Sequence, residues 1–392
     1  MVSDFKVFLM GMLMRFIYLC LFICLAFNVK FDSSINAEER AVRKRSAPEK
    51  IVSSWDDLLE GISSPESWTA RKKILKQRYL DLIRDRYKPV KPELEIQFHD
   101  TAIVDGIYRR QLISYRVEED ERAHAYLGVP LNLRGPAPAI VALHGTYASG
   151  KQRAAGLIEN SDKAYLDHLC RKGYVVIAPD HFVAGHRIPD EGPYETTAFY
   201  KKHPNWTAVG KFTYEHSIAI DVLQSLKEVN PEKIGVLGHS LGGHGSMFLA
   251  AYDERVQAAA GNCSASFFRQ NLRVDAWARD RWYIYFKHIR PELMEGKLPP
   301  IDFHEIMSLI APRAFLDLSG LNDGNPLTQR QRILMLLKVM DVYEIEKAPQ
   351  KFAFFVHGKG HSVAHESREL MYGWMDSNLK PKSATKTKLV TP

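Results

Sequence analysis

Lys233-Ile234-Gly235-Val236-Leu237-Gly238-His239-Ser240-Leu241-Gly242-Gly243 decides how this chain folds. Its first five residues are a short apolar run of buried-strand type. Behind it, Gly243 to Tyr252 carries Met247, Phe248, Leu249, Ala250 and Ala251 at helical density. A strand that passes abruptly into a helix strains the residue at the turn. It also presses the flanking residues against neighbouring backbone, where a Cβ has no room. Glycines on both sides of Ser240 meet that need. The serine hydroxyl then stands clear of the sheet with a helix N-terminus beneath it, the arrangement called a nucleophile elbow.

Working outward, the chain alternates between buried strands and helices, which argues for a mainly parallel sheet. The strand candidates are Ala137–Leu143, Tyr174–Ala178, Lys233–Leu237, Val256–Ala260, Arg313–Leu318 and Lys351–Val356. Helical patterns lie between them at Ala155–Arg171, Lys211–Val229, Leu241–Tyr252, Leu327–Met340 and Ala364–Asn378. Shorter strand-like runs come earlier, at Leu94–Phe98, Tyr108–Val117 and Ala123–Gly128. Before those, Ser67 to Tyr87 follows a helical period with a broad apolar face. The expected fold class is α/β, of α/β-hydrolase type: a mostly parallel eight-stranded sheet flanked by helices, with an N-terminal helical extension.

Serine is a poor nucleophile unless a histidine takes its proton and a carboxylate orients that histidine. In this fold the chain order is serine, acid, histidine, each after a successive later strand. The acid should follow Arg313–Leu318, where Ser319-Gly320-Leu321-Asn322-Asp323-Gly324 places Asp323 beyond the strand end; Asp317, inside the strand, is its rival. The histidine should follow Lys351–Val356. Of His357, His361 and His365, the glycine-flanked His361 is free to reach back over the serine. Two fixed N–H donors should face the oxyanion. Leu241, next after the nucleophile, supplies one. The loop His144-Gly145-Thr146 after Ala137–Leu143 supplies the other from Thr146, with His144 structural. No metal-binding spacing accompanies His181, His186, His239, His244 or His304, and no Walker or dinucleotide-binding glycine pattern appears. No cofactor is expected.

Composition sets wider bounds. The 392 residues are 45% hydrophobic and 25% charged, values that permit a sizeable core. The formal charge of +7 is not arranged as any recognisable nucleic-acid module, so no nucleic-acid partner is expected. Residues 1–37 read as a targeting segment, with Phe16 to Val29 apolar after Lys6 and Arg15 and small residues at Ser34-Ile35-Asn36-Ala37. Read from Met14 it is an ordinary secretory signal; read from Val7 it is long enough to remain as an uncleaved membrane anchor. In either case the catalytic part is secreted or periplasmic. Residues 38–92 form a polar lead-in and the helical extension, 93–380 the catalytic domain, and 381–392 a basic tail. Past the targeting segment only Cys170 and Cys263 remain, expected as two buried free thiols. Two stretches, His181 to Gly210 and Ser264 to Pro300, are too long for simple connections. Both leave strand ends where ligands bind in open α/β sheets.

His144-Gly145-Thr146, Gly238-His239-Ser240-Leu241-Gly242-Gly243, Ile310-Ala311-Pro312-Arg313-Ala314, Asn322-Asp323 and Gly360-His361 together resemble the dienelactone hydrolase-like and acetyl xylan esterase-like α/β-hydrolases. Asp302-Phe303-His304-Glu305-Ile306 is similar to secreted bacterial esterases of that group. The resemblance spans roughly residues 95–380. It implies ester hydrolysis through an acyl-enzyme, with Ser240, Asp323 and His361 at the matching positions. Dienelactone hydrolase itself is cytosolic and uses cysteine, so lactone opening does not fit a serine and an export signal. The implied substrate is a small-molecule or carbohydrate ester, such as an acylated polysaccharide. The aromatics and arginines of Ser264–Pro300 suit sugar stacking or an acidic sugar, or equally the core of a helical cap. A prolyl oligopeptidase-like peptidase and a catalytically silent binding module are the alternatives.

Overall fold

Strand β4 (Ala137–Leu143) shows how the layers are built, because its successive side chains enter two different cores. Ala139 and Val141 join one buried cluster while Ile140 and Ala142 join another on the opposite sheet face. In the computed structural model, which describes residues 55–158 and 162–380, this two-faced burial runs through β5 (Val175–Pro179), β6 (Val229–His239), β7 (Val256–Asn262) and β8 (Ala314–Gly320). Helices α1 (Pro65–Leu82), α3 (Ala208–Gln224), α4 (Leu241–Tyr252) and α5 (Pro326–Ile345) cover one face. Helices α2 (Tyr165–Arg171) and α6 (His365–Leu379) cover the other.

The sheet has nine strands in the order β1-β2-β3-β5-β4-β6-β7-β8-β9, adding β1 (Gln97–Val104), β2 (Tyr108–Glu118), β3 (Glu121–Pro130) and β9 (Phe352–His357). The pairings from β5 through β4 to β9 are parallel and those of β1, β2 and β3 are antiparallel. The expected eight strands therefore become nine. All nine strand-like runs of the sequence become strands, one more than the count expected of the fold, and the first, marked too early at Leu94–Phe98, is β1. Its true signal is Asp105-Gly106: both residues have positive φ (48° and 67°), and the Ile107 N–H donates to the Val104 carbonyl at 2.9 Å. That tight turn, Asp105 to Ile107, pairs Val104 with Tyr108 and extends the hairpin back to Gln97.

Two further boundaries shift. The helix expected over Ala155–Arg171 begins as a single turn at Lys151–Ala154 and ends near Gly156 (φ +76°), and α2 starts afresh at Tyr165. The polar lead-in, where described, is anchored: Trp55 and Leu58 are buried in the same cluster as Trp68, Leu75 and Tyr79 of α1. Ser64 caps α1 with a reciprocal Ser67 hydroxyl, and Pro65 pre-sets its first turn. Tyr79 donates its hydroxyl to the Phe248 carbonyl at 2.8 Å, tying this helix to α4, which follows Ser240. All described residues fall in one contact unit, Ser53–Pro392. The targeting segment, the lead-in up to residue 54 and the basic tail lie outside them. Among the described residues no helix is long and apolar enough to cross a membrane.

Candidate active site

Strand β6 ends at His239 and α4 begins at Leu241, so one residue makes the whole turn. Ser240 has φ 58° and ψ −120°, a left-handed conformation unusual for a side chain with a Cβ. The glycines around it are required by contact. A Cβ on Gly242 would lie 2.2 Å from the Leu143 carbonyl oxygen, and one on Gly238 would lie 2.5 Å from the Gly242 carbonyl. Strand, elbow and helix are thus packed backbone on backbone, and the serine is held where they meet.

His361 comes from the loop after β9 and Asp323 from the turn after β8. The Ser240 hydroxyl donates to His361 Nε2 at 2.8 Å, and His361 Nδ1–H donates to Asp323 Oδ2 at 2.9 Å. The loops are locked together: the Asn322 and Leu321 N–H groups donate to the Lys359 and His357 carbonyls at 3.2 and 2.7 Å. A Cβ on Gly320 would meet the Gly360 and Lys359 carbonyls at 2.4 Å. At Asp323 burial opposes ionisation. The hydrogen bond and charge of His361, the Cys263 thiol and the Arg332 guanidinium outweigh it and hold the carboxyl below its usual range.

Asp317 stands apart from this chain. It is fully buried in β8, where its Oδ1 accepts from the Ser264 hydroxyl at 2.5 Å and the Ala265 N–H at 3.1 Å. Burial pushes its carboxyl up to about 6, against those hydrogen bonds and Arg332. The remaining candidate histidines, His357 and His365, are turned elsewhere: His357 Nδ1 accepts from the Lys359 N–H at 3.2 Å, and His365 Nδ1 from Arg368 at 2.8 Å.

The Leu241 N–H opens α4, where it has no acceptor within the helix. Thr146 follows Gly145, whose Cα approaches the elbow so closely that an added Cβ would sit 3.6 Å from Ser240 Cβ. His144 stays buried below: its Nδ1–H donates to the Gly145 carbonyl at 2.7 Å, and its Nε2 accepts the His181 N–H at 3.0 Å. Beside the site, burial and then the nearby His361 push His239 down to about 3, a neutral ring whose Nδ1 accepts from the Asn262 amide at 2.7 Å.

A cleft of about 220 Å³ opens next to these groups, lined by His244, Cys263, Trp277, Arg279, Tyr285 and Arg332 together with Asp323 and His361. The long loops build its walls. Asp302 caps the helix Phe303–Ser308 and also accepts the Phe268 N–H at 2.8 Å and Arg269 Nε at 3.1 Å, pinning the loop from residue 264. Thr196 donates its hydroxyl to the Trp282 carbonyl at 2.7 Å, and Trp282 Nε1–H donates to the Pro193 carbonyl at 3.1 Å, so the two loops are fastened to each other. Within Ser264–Pro300 the aromatics divide: Trp277 and Tyr285 face the cleft, whereas Phe268 and Phe286 fill the core beneath. Sequence reasoning missed Cys263 and Arg332 because neither belongs to a local motif. Cys263 reaches the site through its positive φ of 56° just past β7, and Arg332 from the second turn of α5.

This geometry coincides with a family match. Residues 123–271, which contain Thr146 and Ser240, match the dienelactone hydrolase family. Over that stretch the chain is similar to the dienelactone hydrolase family. It has the α/β-hydrolase fold. The hydrolase is 29% identical over 268 residues to "Putative hydrolase YtaP" of Bacillus subtilis (strain 168), spanning 65% of this chain and 84% of that protein. It is 24% identical over 347 residues to carbohydrate esterase MZ0003 of an unknown prokaryotic organism, covering 74% and 76%. Among solved structures it superposes on a glucuronoyl esterase from Solibacter usitatus with a TM-score of 0.62 at 17% identity, over 81% of this hydrolase and 94% of that one.

Proposed function

We propose that this hydrolase is a secreted serine carboxylic-ester hydrolase that works through an acyl-enzyme on a carbohydrate ester. The observation that carries the reading is the unbroken relay from Ser240 Oγ to His361 Nε2 at 2.8 Å and from His361 Nδ1 to Asp323 at 2.9 Å. His361 takes the serine proton as Oγ bonds to the ester carbonyl carbon. The carbonyl oxygen gains the negative charge, facing the Leu241 and Thr146 N–H groups. The C–O bond to the alcohol then breaks, and His361 returns the proton to the departing oxygen. Water, deprotonated by the same imidazole, repeats the attack and releases the acid, restoring the serine. Asp323, kept anionic, holds the imidazole in the tautomer that can accept at Nε2 and stabilises the imidazolium. The carbohydrate esterase names among the relatives support a sugar ester, and the apolar segment Phe16 to Val29 supports export.

A fluorophosphonate probe tests the mechanism: it should label wild-type protein at Ser240 and leave Ser240→Ala unlabelled. Folded wild-type protein that fails to label would overturn the reading. Acetyl esters, glucuronoyl esters and peptide anilides offered to one sample should separate an esterase from a peptidase.

A further inference from the structure

The wall of the cleft carries two guanidinium groups, and neither forms a salt bridge with a carboxylate among the described residues. Arg279 rises from the loop after β7. Its guanidinium carbon lies 5.4 Å from the ring centroids of both Trp282 and Tyr285, and its Nε is buried without an acceptor. Arg332 approaches from α5. Its Nη1 donates to Gln329 Oε1 at 2.6 Å, and its Nε also lacks an acceptor. The carboxylate lining the cleft is Asp323, already engaged by His361, and Asp317 lies beneath, bonded to Ser264 and Ala265. Arg332 lies near enough to Asp323 and Asp317 to favour their ionised forms, so the guanidinium on this wall with no carboxylate set against it among the described residues is Arg279.

The hydroxyls of a neutral sugar are weak partners for such groups. Anionic oxygens in a plane or a tripod match the guanidinium fork, and charge-assisted hydrogen bonds are about twice as strong as neutral ones. Stacking of Arg279 on two rings holds the fork ready, so little freedom is lost on binding. We propose that the substrate bears a fixed anionic group, a uronate carboxylate or a sulfate, on a sugar unit adjoining the esterified one, and that Arg279 and Arg332 receive it. This rests on the ester-hydrolase reading above, with the scissile ester at Ser240 and the anion as a second, separate group.

The test uses binding, so that it does not depend on turnover. Folded Ser240→Ala protein is titrated by calorimetry with three unesterified oligosaccharides of equal length: an oligogalacturonate, a sulfated galactan fragment and a neutral oligoxylose. At least one acidic oligomer should bind about tenfold or more tighter than the neutral one, the effect expected of a charged hydrogen bond. Which acidic oligomer binds identifies the anion. The preference should weaken in 0.5 M salt and fall to within about threefold in Arg279→Gln, while Arg279→Lys should retain part of it. Equal affinity for neutral and acidic oligomers, or a preference indifferent to Arg279→Gln and to salt, overturns the proposal. If Arg279→Gln fails to fold, the neutral-against-acidic comparison and its salt dependence on the parent protein still decide. Labelling of Ser240 fails or succeeds separately, so loss of the anion site and loss of the esterase reading are told apart.

Discussion

The hydroxyl of Tyr194 lies 3.1 Å from the Gly145 carbonyl oxygen, although 49 residues separate them. The same hydroxyl accepts the Tyr147 N–H at 2.8 Å, so one side chain from the 181–210 loop braces both sides of Thr146. Tyr194→Phe removes this bridge while the Tyr147 N–H keeps the Gly145 carbonyl at 2.8 Å, so the loss is that of an ordinary hydrogen bond, about 0.5–1.5 kcal/mol. The expected outcome is a drop in kcat of about tenfold with KM little changed, since a loosened donor acts on the transition state. Steady-state kinetics on one chromogenic ester checks it; unchanged kcat would remove the 145–147 loop from the reaction.

The two carboxyls near β8 should separate by phenotype. Asp323→Asn favours the wrong imidazole tautomer and should lower kcat by about 10⁴-fold at nearly unchanged stability. Asp317→Asn should act on stability instead. Its buried carboxyl is pushed up to about 6, above the usual range, so folding is opposed by its ionisation. Stability then falls as pH rises from about 4 to about 6, and the loss persists above. The neutral amide keeps an acceptor for Ser264 and Ala265. It should raise stability at pH 8 by about 1–3 kcal/mol, a gain that vanishes near pH 4. Melts of both variants at the two pH values decide; a catalytic defect in Asp317→Asn exceeding that of Asp323→Asn would exchange their roles.

Buried histidines should make the fold sensitive to acid. Burial pushes His216 and His239 down to about 3, with His144 and His361 nearby adding to the effect, and it holds His124 and His244 near about 4. The unfolded chain takes up these protons near pH 6.5 and the folded one does not, so stability falls as pH drops below about 6.5. With several groups acting together, the slope between pH 6 and 4.5 should exceed about 1.4 kcal/mol per pH unit, the limit for one proton. Denaturant titrations across that range measure it, and a slope at or below one proton would mean the rings are solvated.

Cys170 and Cys263 are both buried and unpaired. Burial pushes both thiols up, with Asp167 adding at Cys170 and Asp323 at Cys263. Iodoacetamide at pH 7.5 should leave both unmodified in the native protein and modify both after unfolding, as read by peptide mass spectrometry. Rapid native modification of Cys263 would mean its sulfur is open to the cleft as a thiolate.

The elbow was legible because its demands are local: a strained serine and glycines pressed against backbone are set by neighbours in the chain. The alternation of buried strands and helices reported the parallel sheet for the same reason. Asp323 and His361 could be singled out only by counting strands, since a loop sequence carries chain order but not reach. Their meeting with Ser240 is made by the β8–β9 pairing and the interlocked loops that follow it. The true place of β1 hid behind its turn, where Asp105-Gly106 spoke more clearly than the apolar run before it.

What the chain states by itself is therefore the fold class and the strained serine of the elbow, because periodicity and steric strain act over a few residues. What only folding decides is the company Ser240 keeps. Tyr194 beneath its loop, Cys263 beside its acid and Arg279 and Arg332 across its cleft converge from four separate segments. Burial, charge and hydrogen bonding between them depend on distance in space, and no pattern along the backbone encodes that distance.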